Sequence, residues 1–433
     1  MDSLNRLDAE VVVIGAGIAG LAAAEHLAAN GKSVVIAEAR GRVGGRILTD
    51  FSPYHAGLPV ELGAEFVHGR HSLLLSAAEK AGLPLSPVQG CPYRARNGRL
   101  SPEKSAGGFD EVLTSPDLFQ NDIPFSDFIR HSPANEEQRA SITSYVEGFN
   151  GAFADRIGTR ALYRQQQAEN SIEGGSSSRI DTGYQSLVRS YEDRLRQTAR
   201  LLLGAIVQNV EWRRGYVSTT AFANGQPVHL SSRAAILTVP LGVLLGRSPT
   251  ARIVFSPEPE LLRNLSLLDP GWAMRLNLVF SEPVWEDAAP DAGFLFSEQE
   301  RFPVWWTRTG GDGYILTGWN GGPKAAALAK ASQDELLQTG LQTLSILIGR
   351  KVNDLASKLE SVHYHNWHTD PFSAGSYSYV TADGFEFSQT VGRPVENTLW
   401  FAGEAMASEG YWGTVHGALA SGRRAAAEIL ALP

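Results

Sequence analysis

Gly15, Gly17 and Gly20 are spaced as Gly-x-Gly-x-x-Gly, with Ala16, Ile18 and Ala19 between them. In such a string the first glycine permits a tight turn, the second lets backbone approach a pyrophosphate, and the third lets a helix pack closely on the preceding strand. A helix starting here turns its dipole and free N–H groups toward an anion. Glu38 follows at the end of the next apolar run, where a carboxylate accepts hydrogen bonds from ribose hydroxyls. These residues together predict a dinucleotide site and leave NAD and FAD both open. Arg40, Arg42 and Arg46, with Gly44 and Gly45, stand directly beyond Glu38, a set suited to a second approach to pyrophosphate or to an extended flavin. Metal chemistry is not indicated. The ten histidines include no His-Glu-x-x-His spacing, and Cys91 is the one cysteine, too few for a Cys-rich metal site or an internal disulfide.

The elements that must hold these residues follow from periodicity. The run Glu10 to Ile14 predicts a buried strand, Ile18 to Ala29 a helix stopped by Gly31, and Ser33 to Ile36 a second strand, which together form one β-α-β unit. Residues 86–180 change texture, with Pro-rich loops between helical pieces such as 136–149. Residues 170–179 have linker composition. A helix near 183–198, a strand pair near 205–221 and a buried strand from Ala234 to Val239 restore the α/β pattern. From 251 to 369 longer strands are predicted at 275–280, 304–307 and 314–318, with a helix opened by the capping box Ser332-Gln333-Asp334-Glu335. The chain then gives a strand at Asn397–Ala402 and a helix over 413–431. The expected fold class is α/β: a Rossmann-like dinucleotide domain built from residues 1–85, 175–250 and 370–433, and an α+β substrate-binding domain from 86–174 and 251–369.

Composition bounds the function. A chain of 433 residues is expected to divide into two domains, and 19% charged with 43% apolar residues excludes global disorder. The formal charge of −8 is spread without long runs of one sign, which argues against a nucleic-acid partner. No run of about 18 apolar residues or signal-peptide core is visible, so no membrane span is expected. With its single cysteine, the chain is expected to be cytoplasmic. The oligomeric state stays open.

Arg42-x-Gly44-Gly45-Arg46 after the β-α-β unit resembles the flavin-containing amine oxidase family, which includes monoamine oxidases, polyamine oxidases and lysine-specific histone demethylases. Further matching pieces are Leu62 to Gly69, Tyr145 to Phe149, Thr182 to Leu187, Thr238 to Leu244, Trp367 to Tyr379, Phe401 to Glu404 and Thr414 to Ala418. The resemblance implies FAD, held by Gly15, Gly17, Gly20, Glu38, Arg40, Arg46, Gly63, Ala64, Val207, Trp367, Gly403, Glu404, Thr414 and Val415. It implies non-covalent FAD, because Ser376 stands where monoamine oxidases carry the linking cysteine. Tyr377 matches the first aromatic of the family's amine cage and Thr414 the second cage position. His68 falls where many polyamine oxidases have histidine. Arg275 takes the place of the lysine that holds water near the flavin, and the final helix is expected to aim its N-terminus at the flavin.

The chemistry so implied is hydride transfer from the carbon α to a neutral, secondary or polyamine-like amine. Its products are imine or aldehyde and, with molecular oxygen as acceptor, hydrogen peroxide. A flavin-dependent desaturase, cyclase or dehydrogenase acting on a biosynthetic intermediate is the alternative, and a non-catalytic flavin-bearing module is a third class.

Overall fold

A computed structural model describes residues 7–52, 58–103, 109–297, 301–310 and 313–433. The strand β1 (Val11–Ile14), the helix α1 (Ile18–Ala29) and the strand β2 (Val34–Ala37) form as the pattern predicts. All eight strand residues are buried, the mark of a parallel strand covered on both faces. They belong to a five-stranded sheet in the order Arg200–Leu202, β2, β1, Ala234–Leu237, Leu399–Phe401, every pair parallel. Period-two alternation assigns its faces. Val11, Val13 and Ile36 pack under α1 and the final helix, Val415–Leu430. Val12, Ile14 and Val35 face the other way, onto an antiparallel meander.

That meander corrects the expected strand pair near 205–221. Ala205–Arg213 and Tyr216–Ala223 are joined by a third strand, Gln226–Ser232. Its Gln-Pro start and polar residues hide the strand signal, and pairing with its neighbour decides its state. The helix near 183–198 is shorter, Gln185–Leu195.

A second, seven-stranded sheet runs Leu359–His363, Ala273–Phe280, Gly313–Gly321, Val304–Gly310, Ala292–Phe296, Cys91–Arg96, Arg99–Pro102. The last two strands lie in the stretch expected to hold Pro-rich loops between helical pieces, and Arg99–Pro102 is strand where a Pro-rich loop was expected around Ser101-Pro102. The helix Gln333–Ile348 covers one face, burying Leu336, Leu341 and Leu344 in one cluster with Leu276, Leu278 and Trp305. Its capping box is present: Ser332 Oγ accepts the Glu335 N–H, and the Glu335 carboxylate accepts the Ser332 N–H at 2.8 Å. Helices between residues 109 and 171 form a further cluster around Phe125, Val146 and Leu162. No helix among the described residues is long and apolar enough to cross a membrane.

Candidate active site

One cavity of about 1130 Å³ runs from the ends of β1 and β2 to the face of the seven-stranded sheet. That exceeds the ~300–1,000 Å³ typical of a pocket for one small ligand. Gly15 and Gly17 line its floor. Gly15 has φ +105°, and a Cβ there would stand 2.7 Å from Thr238 Oγ1. A Cβ on Gly17 would meet nothing within 4 Å, so its backbone faces open space at the start of α1, and no side chain caps that helix. Gly20 is absent from the cavity wall. Its role is packing, since a Cβ there would lie 2.0 Å from Gly15 O.

Glu38 lines the cavity and is buried; its Oε2 accepts the Ala16 N–H at 2.7 Å and its Oε1 the Arg40 N–H at 2.8 Å. Burial raises its pKa, and the two backbone donors oppose that rise. Arg40 also lines the cavity, held by Asp370 at 2.8 Å and Ser373 at 2.9 Å over the Phe372 ring. Arg46 pairs with Glu404 at 2.8 Å and donates to Ser376 O. Glu404 in turn accepts from Ser378 Oγ at 2.6 Å and from the Gly413 N–H at 3.0 Å. Arg42 is different: it donates to Gly45 O at 2.9 Å and so shapes its own turn.

Gly63, Ala64, Val207, Trp367, Gly403, Thr414 and Val415 complete the expected cofactor set on the same wall. A Cβ on Gly63 would be 1.8 Å from Arg46 O, and Trp367 Nε1 donates to Leu62 O at 2.8 Å. Ser376 Oγ, also on the wall, is buried with no partner among the described residues. An uncapped helix start, an open glycine, a ribose-competent carboxylate and an unsatisfied hydroxyl fit a dinucleotide-type cofactor.

The expected catalytic residues lie in the same cavity. The Tyr377 ring stacks on Trp319 (centroids 6.3 Å apart, planes 7° apart), and its hydroxyl donates to Phe149 O at 2.6 Å. Burial first, then Glu404, raises its pKa. His68 is held by Ser177 Oγ at 3.2 Å, and burial pulls its pKa to about 4, so the ring is neutral at physiological pH. The Thr414 hydroxyl is committed to the final helix: it accepts the Gly417 N–H at 2.9 Å and donates to Tyr411 O at 2.8 Å.

Arg275 departs most from expectation. It is 6% exposed and ion-paired to Glu65 at 2.7 Å, so it is not a free cation.

Sequence reasoning passed over Glu65, Trp306, Trp319 and Glu169 as functional residues. The strands bearing the tryptophans were legible, and their alternation held the signal. Trp305 and Trp306 are neighbours on one strand and must face opposite ways; Trp305 enters the core and Trp306 the cavity. Glu169 lines the cavity from the helix Thr159–Ser171, accepting from Gln165 at 3.2 Å. Burial raises its pKa, and no cation pairs with it among the described residues. Nothing in its local sequence marks it.

Fold and site together define a dinucleotide-binding class, with a parallel α/β unit ending at a chamber walled by a second, aromatic sheet. The family model for flavin containing amine oxidoreductase matches residues 18–430, and the chain belongs to that family. A lysine-specific histone demethylase 1 homolog 2 of Oryza sativa subsp. japonica is 28% identical over 461 residues, covering 99% of this chain and 58% of that protein. The chain thus spans somewhat over half the length of that relative. Polyamine oxidase 3 of the same plant is 29% identical over 468 residues, covering 96% of this chain and 88% of that one. Among solved structures, wild-type putrescine oxidase bound to putrescine has a TM-score of 0.82 at 22% identity, covering 98% and 99% of the two chains. Cyclohexylamine oxidase from Brevibacterium oxydans has a TM-score of 0.82 at 20% identity, covering 98% of each chain. These two likenesses speak to the fold.

Proposed function

We propose that the protein oxidises a neutral secondary or polyamine-like amine at the carbon α to nitrogen, with FAD bound non-covalently and dioxygen as acceptor. Residues 1–85, 175–250 and 370–433 are assigned to the FAD-binding unit, and 86–174 and 251–369 to the substrate unit. When bound, FAD would supply the hydride acceptor and the redox link to dioxygen.

The protein's own residues position and exclude water. Tyr377, its ring fixed by Trp319 and by its bond to Phe149 O, forms one wall beside the reacting nitrogen. Thr414, which also lines the cavity, is small and leaves space for a substituent on that nitrogen. His68, neutral near pH 7, accepts a hydrogen bond from the amine without adding repelling charge. As hydride leaves carbon, the nitrogen lone pair forms the C=N bond. Water hydrolyses the resulting iminium to aldehyde and amine, and dioxygen takes up the electron pair with two protons to give peroxide.

The observation that carries this reading is the aromatic chamber continuous with the glycine floor, with Glu169 facing it. Glu65 pairs with Arg179 and Arg275, Glu103 with Arg94, and Glu404 with Arg46. Glu169 has no such partner among the described residues, and a half-buried carboxylate is costly to desolvate further until a cation arrives. A second, charged nitrogen on the substrate satisfies it. Peroxide release over a panel of paired diamines and monoamines under air tests the reading. Glu169→Gln should lower kcat/KM about 10–100-fold for the diamine of preferred length and leave the matching monoamine within about threefold. No peroxide with any amine contradicts the activity; equal losses for both members of a pair contradict the role of Glu169.

A further inference from the structure

Arg275 sits within the strand Ala273–Phe280, opposite Trp319. Its described hydrogen bonds all end on one short segment of the FAD-binding unit. Nη1 donates to Glu61 O and Gly63 O, both at 2.8 Å, and Nη2 donates to Glu65 Oε2 at 2.7 Å. The guanidinium carbon is 5.2 Å from the centre of the Trp306 ring, whose Nε1 donates to the same Glu65 oxygen at 3.0 Å. Asn277, one step along the same face of the strand, adds a donor to Glu61 O at 3.1 Å. The segment is held from its other side too, by Trp367 on Leu62 O and by the close approach of Gly63 to Arg46 O. Gly63 and Ala64 both line the cavity.

We propose that Arg275 is a positioning residue: its planar fork ties the segment Glu61–Glu65 to the substrate sheet and so fixes the cofactor-facing backbone of Gly63 and Ala64 relative to the Trp306 wall. Three acceptors at three directions require a rigid, multi-donor group. An ammonium at the same place is a compact point donor on a flexible stem and reaches fewer of them. The charge faces Glu65 and two carbonyl oxygens rather than a ligand, so the number and direction of its donors matter and its charge as such does not. Breaking the tie takes the arginine donor from Gly63 O and leaves Glu61 O to Asn277 alone, which loosens the segment locally. The inference rests on the FAD-binding fold and not on the identity of the substrate.

Arg275→Lys, which keeps the charge and removes the fork, tests it in the full-length flavoprotein without any amine. Amide hydrogen exchange in residues 61–66 should quicken about tenfold or more, with flanking segments unchanged. The visible absorption band of the bound flavin should shift, which a purely structural loss elsewhere does not produce. Unchanged exchange over 61–66 or an unshifted spectrum overturns the proposal. Should Arg275→Lys not retain flavin, Asn277→Ala removes a neutral donor to the same Glu61 carbonyl. It should show a weaker form of the same exchange and spectral change, and its absence overturns the proposal equally.

Discussion

Glu38 is the residue whose place was most legible from spacing alone, because a strand end at a fixed distance beyond a glycine turn puts one carboxylate on the cavity wall. Its bonds to two backbone N–H groups leave lone pairs for a ligand, since a carboxylate accepts about four hydrogen bonds. Glu38→Ala should weaken FAD binding to the flavin-free protein about 10–100-fold by titration calorimetry; unchanged affinity would make Glu38 a turn residue only. Glu61 was not legible, because its environment comes from segments far away in sequence. Its carboxylate accepts from Tyr184 N–H and Thr49 Oγ1, both at 2.7 Å, and burial pushes its pKa up from 4.5 to about 7. The folded state therefore holds a proton that the unfolded chain has released between those two values, so stability falls as pH rises through that window and is unaffected below it. Between about pH 5 and pH 8 the Tm of wild type should fall more than that of Glu61→Gln. Parallel curves would contradict the assignment.

At the scale of elements, what was legible was local. The glycine turn, the capping box at Ser332 and Glu335, and the final helix each carry their signal within a few residues. The strands Cys91–Arg96 and Arg99–Pro102 do not, since only Tyr93 of their residues is buried, and pairing with the distant strand Ala292–Phe296 decides their state. Trp306 and Trp319 were placed on strands but not at the site, because which face of a strand meets the cofactor unit is a property of the assembled sheet. The contact between α1 and the final helix makes a sharper test. A Cβ on Gly422 would lie 2.1 Å from Ala19 O, so Gly422→Ala must push the helices apart. It should lower stability by about 1–3 kcal/mol in denaturant unfolding. It should also weaken FAD retention, since both helices begin at the cavity. A neutral substitution would show that the helices separate freely.

For the molecule as a whole, two interleaved sheets meet at one cavity, and neither stretch of sequence contains the site alone. The resemblance in motif order carried the architecture; the electrostatics around Arg275 and Glu65 emerged only when strands and loops from separate segments converged. Ser376 offers a hydroxyl where a covalent flavin link needs a thiol, so acid denaturation should release intact FAD into the supernatant; flavin remaining with the precipitated chain would contradict non-covalent binding. The central claim, amine oxidation at this cavity, is tested most directly by mixing the purified yellow protein with diamines and polyamines in the absence of oxygen and following the visible flavin band. The account predicts that the band bleaches at a saturable rate and that Tyr377→Ala slows the bleaching while FAD stays bound. A wild-type band that persists with every amine, yet bleaches with a substrate lacking an oxidisable C–N bond, would contradict it.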